Sequence, residues 1–340
     1  MSGAVHCVPV SDIDPHQLAA MIKTKARGLG FDLVGITSAS PSAHADALRA
    51  WLEAGFAGEM DYMHRRLDER TDPARYLEGA RSILCVAVNY HFPLEPASDA
   101  STTGRVARYA LGDDYHELIK PRLYDLADWL RDLVPGTRTR CGVDTVPVLE
   151  REISARAGVG WIGKNTCVIH PRMGSWLLLG EVLTTIDLPP DEPAINRCGT
   201  CRRCIDACPT GAIYEPYKLD ATRCISYLTI EHEGAIAPEL QRQMGDWLYG
   251  CDICQDVCPF NRKAPVATNT KFRPRIPTGR FDLETVLSWR AGQPNPTLRG
   301  TAMKRVSLEV LQRNARIVQQ NIAARNDRPG GEDQADSIDD

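Results

Sequence analysis

The chain has 340 residues, 43% of them hydrophobic and 25% charged, the make-up of a globular protein with room for two or three domains. No basic stretch with an apolar core opens the sequence, no twin arginine stands near its start, and no apolar run approaches the ~20 residues of a membrane span; a cytoplasmic protein without a membrane partner is the expectation. The net charge of −4 is uneven: residues 262–325 hold thirteen Lys/Arg against three Asp/Glu, and residues 326–340 hold six acids against Arg328. A basic module on an acidic body suits a polyanion such as nucleic acid, although a solvated helical face accounts for the bias equally well.

In chain order, Ser11–Gly30 reads as a helix, with Asp14 and Pro15 as N-cap and first residue and Leu18, Ile22, Ala26 and Leu29 at helical spacing. FDLVGIT reads as a strand, and Pro41–Ala54 as a helix closed by Gly55. A loop running into a polar helix follows in GFAGEMDYMHRRLDER, then SILCVAVNY (82–90) is a buried strand by its apolar run. After a Pro/Ser/Thr loop (92–104), Leu118, Leu123, Leu126, Leu130 and Leu133 mark one face of a long amphipathic helix. Beyond it come a strand, a helix (149–157), a Gly-rich turn and two short strands joined at HPRMGS. The alternation predicts an α/β or α+β first domain with a mixed sheet over residues 1–187. A Pro-rich linker leads to a cysteine-bearing domain (188–262) with a helical insert, Ala221–Tyr249. A basic helical region (263–325) and an acidic, disordered tail (326–340) complete the expectation.

Cysteines 198, 201, 204 and 208, followed by Pro209, have the spacing of the bacterial ferredoxin run. A shorter copy, CDICQDVCPF, supplies Cys251, Cys254 and Cys258 with Pro259. Two-residue gaps let a tight loop aim three thiolates at one cubane, and the fourth cysteine reaches a neighbouring cluster. Cys198, Cys201, Cys204 and Cys258 then make one set of four; Cys208, Cys251 and Cys254 make three, and Cys224 is the cysteine nearby that completes them. Structural zinc is the competing reading of such thiol sets, and disulfides lack an oxidising compartment.

Clusters move electrons, so a partner cofactor is expected. GVGWIG (158–163) follows a helix rather than a strand and fails as a dinucleotide fingerprint, and no P-loop is present. Asp114-Tyr115-His116 begins a base-off corrinoid motif but meets Ile119 where glycine is needed. Asp144, between a strand and a helix in GVDTVPVLER, is placed to deliver a proton, or simply to cap a turn. Lys164 and Asn165 in GWIGKNT line either a ligand or a tight turn. Cys7, Cys85, Cys141 and Cys167 read as small buried hydrophobes. Arg299, Lys304, Arg305 and Arg313 read as phosphate contacts or as a solvated helix face.

In order along the chain, GEMDYM, ALGDDYH, VDTVPVLERE, GWIGKNT, the two cysteine copies, TIEHEGAI and RGTAMKR with LQRNA together resemble the epoxyqueuosine reductases. The resemblance covers about residues 15–320 and implies a nitroreductase-like cobalamin-binding domain, a ferredoxin-like domain with two 4Fe–4S clusters, and a tRNA carrying epoxyqueuosine as substrate. It places the proton donor on Asp144, kept neutral by burial until the substrate arrives. By segment it places cobalamin contacts around Tyr62, Tyr109, Asp144, Lys164, Asn165 and Ser175. A small redox protein or reductase would supply electrons to a monomer. The HEAT-like helical tail common in that family does not follow LQRNA here. A corrinoid reductive dehalogenase and a plain electron-transfer protein are the other functions weighed.

Overall fold

The computed structural model describes residues 13–292 and 295–327. Cys7 and the tail from residue 328 lie outside the described residues. The first helix, α1 (Pro15–Gly28), begins where the Asp14 carboxylate accepts the His16 and Gln17 amides. After β1 (Leu33–Ser38) come α2 (Ala45–Glu53) and two short helices, α3 (Leu67–Thr71) and α4 (Pro73–Tyr76). The predicted strand at 82–90 is β2 (Ser82–Asn89), buried at every residue. Next are β3 (Thr103–Val106), the 19-residue helix α5 (Tyr115–Leu133) and β4 (Thr139–Gly142). Then α6 (Glu150–Arg156) leads to β5 (Trp161–Ile162), β6 (Val168–Ile169) and β7 (Leu177–Thr184).

Strands β1, β2, β7 and β4 form one sheet in that order, antiparallel throughout rather than mixed. Successive β2 side chains leave on opposite faces. Leu84, Val86 and Val88 meet Ile22 and Ala26 of α1 and Ile119, Leu123 and Leu126 of α5. Ile83, Cys85 and Ala87 meet Ile153 and Ala157 at α6. Covering both faces explains the unbroken apolar run, and each fully buried Leu or Ile stabilises the sandwich by about 1.5–3 kcal/mol.

The second half begins with short helices: α7 (Arg203–Asp206), α8 (Ile225–Ile230) and α9 (Pro238–Gln243). Then come β8 (Trp247–Tyr249), α10 (Ile253–Asp256), β9 (Arg280–Asp282), α11 (Leu283–Ser288) and the basic helix α12 (Leu308–Asn326). Two sequence expectations are corrected here. The predicted helical insert ends in a strand, β8, and GRFDLETVLSW opens with a strand, β9, before its helix. Both add to β3, parallel for β8 and antiparallel for β9, so the mixed sheet is this second, three-stranded one. Phe281, Leu283, Leu311, Val318 and Tyr249 build its core with α11 and α12. The α+β class holds, but segments expected to lie in three separate domains share one sheet.

Candidate active site and cluster sites

Asp144 follows β4 in a left-handed conformation, φ 59°, unusual for a residue other than glycine. Its amide donates to Glu150 Oε1 at 2.5 Å, which ties this loop to the first turn of α6. Two neighbours from the start of α5 face its carboxylate. Tyr115 Oη donates to Oδ2 at 3.0 Å, and His116 Nε2 lies 3.5 Å from the same oxygen. The other imidazole nitrogen, Nδ1, is 2.8 Å from Oδ1 of Asp114, the buried N-cap of α5. Lys304 Nζ closes the row at 2.9 Å from Asp114 Oδ2. Burial works to raise the Asp144 carboxyl, but the nearby His116 imidazole and the Tyr115 hydrogen bond outweigh it and hold the group below the ordinary carboxylate range. These neighbours favour the ionised form of Asp144, against the neutral form expected from burial, and its side chain is 51% exposed.

Beneath the loop lies a carboxyl pair. Glu181, on β7, is 1% exposed and pairs across the sheet with Gly142. Burial pushes Glu150 up to about 7 and raises Glu181 well above the ordinary carboxylate range, and each carboxyl adds to the other's rise. A Cβ at Gly142 would come within 2.3 Å of Glu181 Oε1, so only glycine admits the carboxyl there.

Tyr62 and Tyr109 border the Asp144 region. The Arg305 guanidinium sits 5.9 Å over the Tyr62 ring, and Tyr109 packs between Tyr115 and Tyr249 with ring centroids 6.2 Å away on both sides. Lys164, Asn165 and Ser175 fall elsewhere, against the cysteine loops. Lys164 Nζ donates to the carbonyls of Gly199 and Cys201 at 2.7 and 2.9 Å. Asn165 reaches the Cys254 carbonyl at 3.4 Å, and Ser175 is buried in hydrogen bonds to Asn261 and Gln255. All three are tied to residues in or beside the cysteine loops.

The thiols form two groups. Cys198, Cys201, Cys204 and Cys258 surround a cavity of about 180 Å³, together with Lys164, Arg197, Arg203 and Phe260. Four thiols around a gap of that size leave room for a cubane, whereas zinc draws its ligands to ~2.3 Å. Trp161 Nε1 donates to Cys198 Sγ at 3.5 Å, a bond of the kind that tunes a cluster's potential where the sulfur is a ligand. Cys208, Cys224 and Cys251 face one another, and Cys254 faces Cys224 and Cys251. Cys167, expected as an inert buried residue, meets the Cys254 thiol. The first set expected from the spacing lines one cavity, and the thiols of the second lie within electrostatic reach of one another.

The phosphate-contact candidates divide. Arg299 is exposed. Lys304 is half exposed beside Asp114 and Glu117, and Arg305 makes a two-pronged bond to Glu231 at 2.9 and 3.0 Å. Arg313 is corrected: it donates to the carbonyls of Leu228, His232 and Gly234 at 2.6–2.7 Å, which clamps α12 to the end of α8 and leaves no fork for a phosphate. Tyr115, His116 and Glu181 were missed. The DYH triplet is legible within ALGDDYH, but spacing alone does not bring it beside Asp144.

Comparisons with known proteins agree with this geometry. A model described as a 4Fe–4S double cluster binding domain matches residues 197–261, and one described as epoxyqueuosine reductase QueG matches residues 70–145. The epoxyqueuosine reductase of Vibrio cholerae is 41% identical over 312 residues, covering 91% of this chain and 85% of its own. That of Gloeobacter violaceus is 42% identical over 306 residues, covering 88% and 94%. A solved epoxyqueuosine reductase bound to an epoxyqueuosine-modified tRNA-Tyr stem loop superposes with a TM-score of 0.85 at 30% identity, covering 91% of this chain and 82% of that one. A Bacillus subtilis structure, described with its aspartate catalytic loop swung out of the active site, gives 0.84 at 29%. With sequence identity near two-fifths along most of both chains and the fold shared, this chain belongs to the epoxyqueuosine reductase family.

Proposed function

We propose that this chain reduces epoxyqueuosine to queuosine at the wobble position of tRNA, with Asp144 handing a proton to the departing epoxide oxygen. The observation that carries the reading is the meeting of Asp144, Tyr115 and His116 on one open face, in a chain that also gathers two sets of four thiols. The reaction takes up two electrons and two protons, breaks both C–O bonds of the epoxide, and releases an alkene and water.

Residues 1–187 would form the nitroreductase-like cobalamin domain, 188–262 the ferredoxin-like domain, and 263–325 the basic tRNA-contacting region. Cobalamin bound at the open face would supply the low-potential two-electron chemistry that side chains lack. The residues present suit a flat, largely apolar macrocycle: Tyr62, Tyr109 and Tyr115 give an aromatic border, and Asp144 stands above it half exposed. An alkoxide is a poor leaving group, so a positioned acid lowers the barrier, by 10²–10⁴-fold in typical cases. Tyr115 orients the acid, the Glu150 link fixes its loop, and the anticodon base is accessible because it is unpaired. Arg299, Lys304 and Arg305 lie on one basic stretch and would meet the tRNA backbone.

We further infer that electrons enter at the first thiol set, whose cavity is lined by Arg197 and Arg203, with Ile195 75% and Tyr217 44% exposed nearby. A cationic rim around an apolar patch suits an acidic electron carrier. Among the described residues no helix is long and apolar enough to cross a membrane. A cytoplasmic monomer is consistent with exposed large apolar residues that are few and scattered.

The test is Asp144→Asn. Iron, sulfide and the visible spectrum with added cobalamin are expected unchanged, while queuosine formation in single turnover falls by about 100-fold or more. Normal turnover in that variant would remove Asp144 from the reaction.

A further inference from the structure

Two protons are needed in each turnover and one carboxyl holds one, so Asp144 must be recharged while the substrate is still bound. The group that faces it is His116. Its Nε2 is buried, has no hydrogen-bond partner and points at Asp144 Oδ2 from 3.5 Å. Its Nδ1 is fixed by Asp114, which keeps a proton on that nitrogen and leaves Nε2 as the one that exchanges. The ring lies flat against Tyr115, centroids 4.0 Å apart, so it cannot swing away without losing that stack. Asp114 is in turn pinned by Lys304.

We propose that His116 is the proton store for Asp144, loading it before the first C–O bond breaks and again before the second. This rests on the reading of Asp144 as the acid. The sequence of transfers balances. In the open site the proton is on His116 and Asp144 is ionised. Closing the site removes water from the Asp144 carboxylate, which raises its proton affinity and draws the proton across from Nε2. As the first C–O bond breaks, the oxygen takes that proton and becomes a hydroxyl. Nε2, buried against Asp144 at rest, regains a proton from solvent once the emptied carboxylate parts from it, and passes it on. The second C–O bond then breaks, the hydroxyl leaves as water, and the alkene forms. The two electrons are those of the reduction itself.

The groups facing the pair set the resting place of the proton, on His116, from which desolvation of Asp144 must draw it. Burial lowers the proton affinity of His116, but Asp144 and Asp114 outweigh it and hold the imidazole above its ordinary value of 6.5. Glu117 reaches Lys304 at 3.6 Å, and Arg305 and Tyr62 lie toward Asp144 from the other side, with Glu150 at its amide.

Two measurements test the proposal on the cluster-bearing protein. The first is a ring ¹H–¹⁵N NMR titration of His116 in the oxidised, substrate-free state. It should show a raised pKa that falls in Asp144→Asn; an unmoved His116 would overturn the proposal whatever the activity. The second is the pH profile of single-turnover reduction of an epoxyqueuosine stem loop by His116→Gln. Its alkaline limb should move down into the carboxylate range, with turnover at pH 8 falling about 10- to 100-fold and stem-loop affinity unchanged. A lowered rate with the limb in its wild-type place would show a merely structural role. If His116→Gln does not fold, the titration decides. If the wild type itself gives no turnover, the reading of function fails separately from the histidine's coupling to Asp144.

Discussion

Position 142 admits no side chain: an added Cβ would press within 2.3 Å of both Glu181 Oε1 and Val146. Gly142→Ala should therefore cost about 1–3 kcal/mol, seen as a lower urea midpoint, and should also reduce turnover, because the displaced strand end carries the Asp144 loop. Wild-type stability would show that the Glu181 carboxyl has another place to go. Single residues were unevenly legible in the sequence. Asp144 was visible because it stands between a predicted strand and a helix. Glu181 was not, since a glutamate in WLLLGEVLTTI looks like an interruption, and its meaning comes from Glu150, 31 positions earlier, folding beneath it. The neighbours that oppose burial at Asp144, His116 and Tyr115, arrive from a different helix and could not be paired with it from the sequence.

Among the elements, the second sheet depends on one carboxylate. Asp246, just before β8, bonds Arg105 of β3 at 2.8 Å and Arg280 of β9 at 2.7 Å, so a single residue ties all three strands. Burial alone would raise its carboxyl, but the two guanidinium groups outweigh burial and depress it. The stabilisation is present above the unfolded value of 3.8 and is lost as pH falls through the depressed folded value. Asp246→Asn should lower stability at pH 7 by roughly 3 kcal/mol, and the gap to wild type should close below about pH 3.8, as chemical denaturation at several pH values will show. A gap independent of pH would assign the loss to packing. Strands β2 and β7 were readable from composition, because long apolar runs in a two-faced sheet announce themselves. Strands β8 and β9 were not: each is three residues long, and their partner β3 lies more than 140 positions upstream.

For the whole molecule, the cysteine spacing disclosed the grouping of thiols, whereas the division into successive domains did not foresee strands shared between them. Charge was legible only as a total, and the folded chain uses part of its basic segment internally, as Arg313 does at the end of α8. Arg197 and Arg203, outside that segment, flank the first thiol cavity instead. Reversing both, Arg197→Glu with Arg203→Glu, should slow cluster reduction by a reduced flavodoxin about tenfold at low salt and flatten its salt dependence, while reduction by dithionite stays unchanged. Equal rates with flavodoxin would place electron entry elsewhere.

The wait imposed on β3 has a consequence during synthesis. Val106 pairs with Tyr249, so at ribosomal speeds of roughly 5–20 residues per second the nascent chain carries an unsatisfied strand edge for roughly 7–30 s. Growing polypeptides on one messenger are exposed to one another through that interval, and crowding or slow codons in the middle of the reading frame will favour sticking over completion.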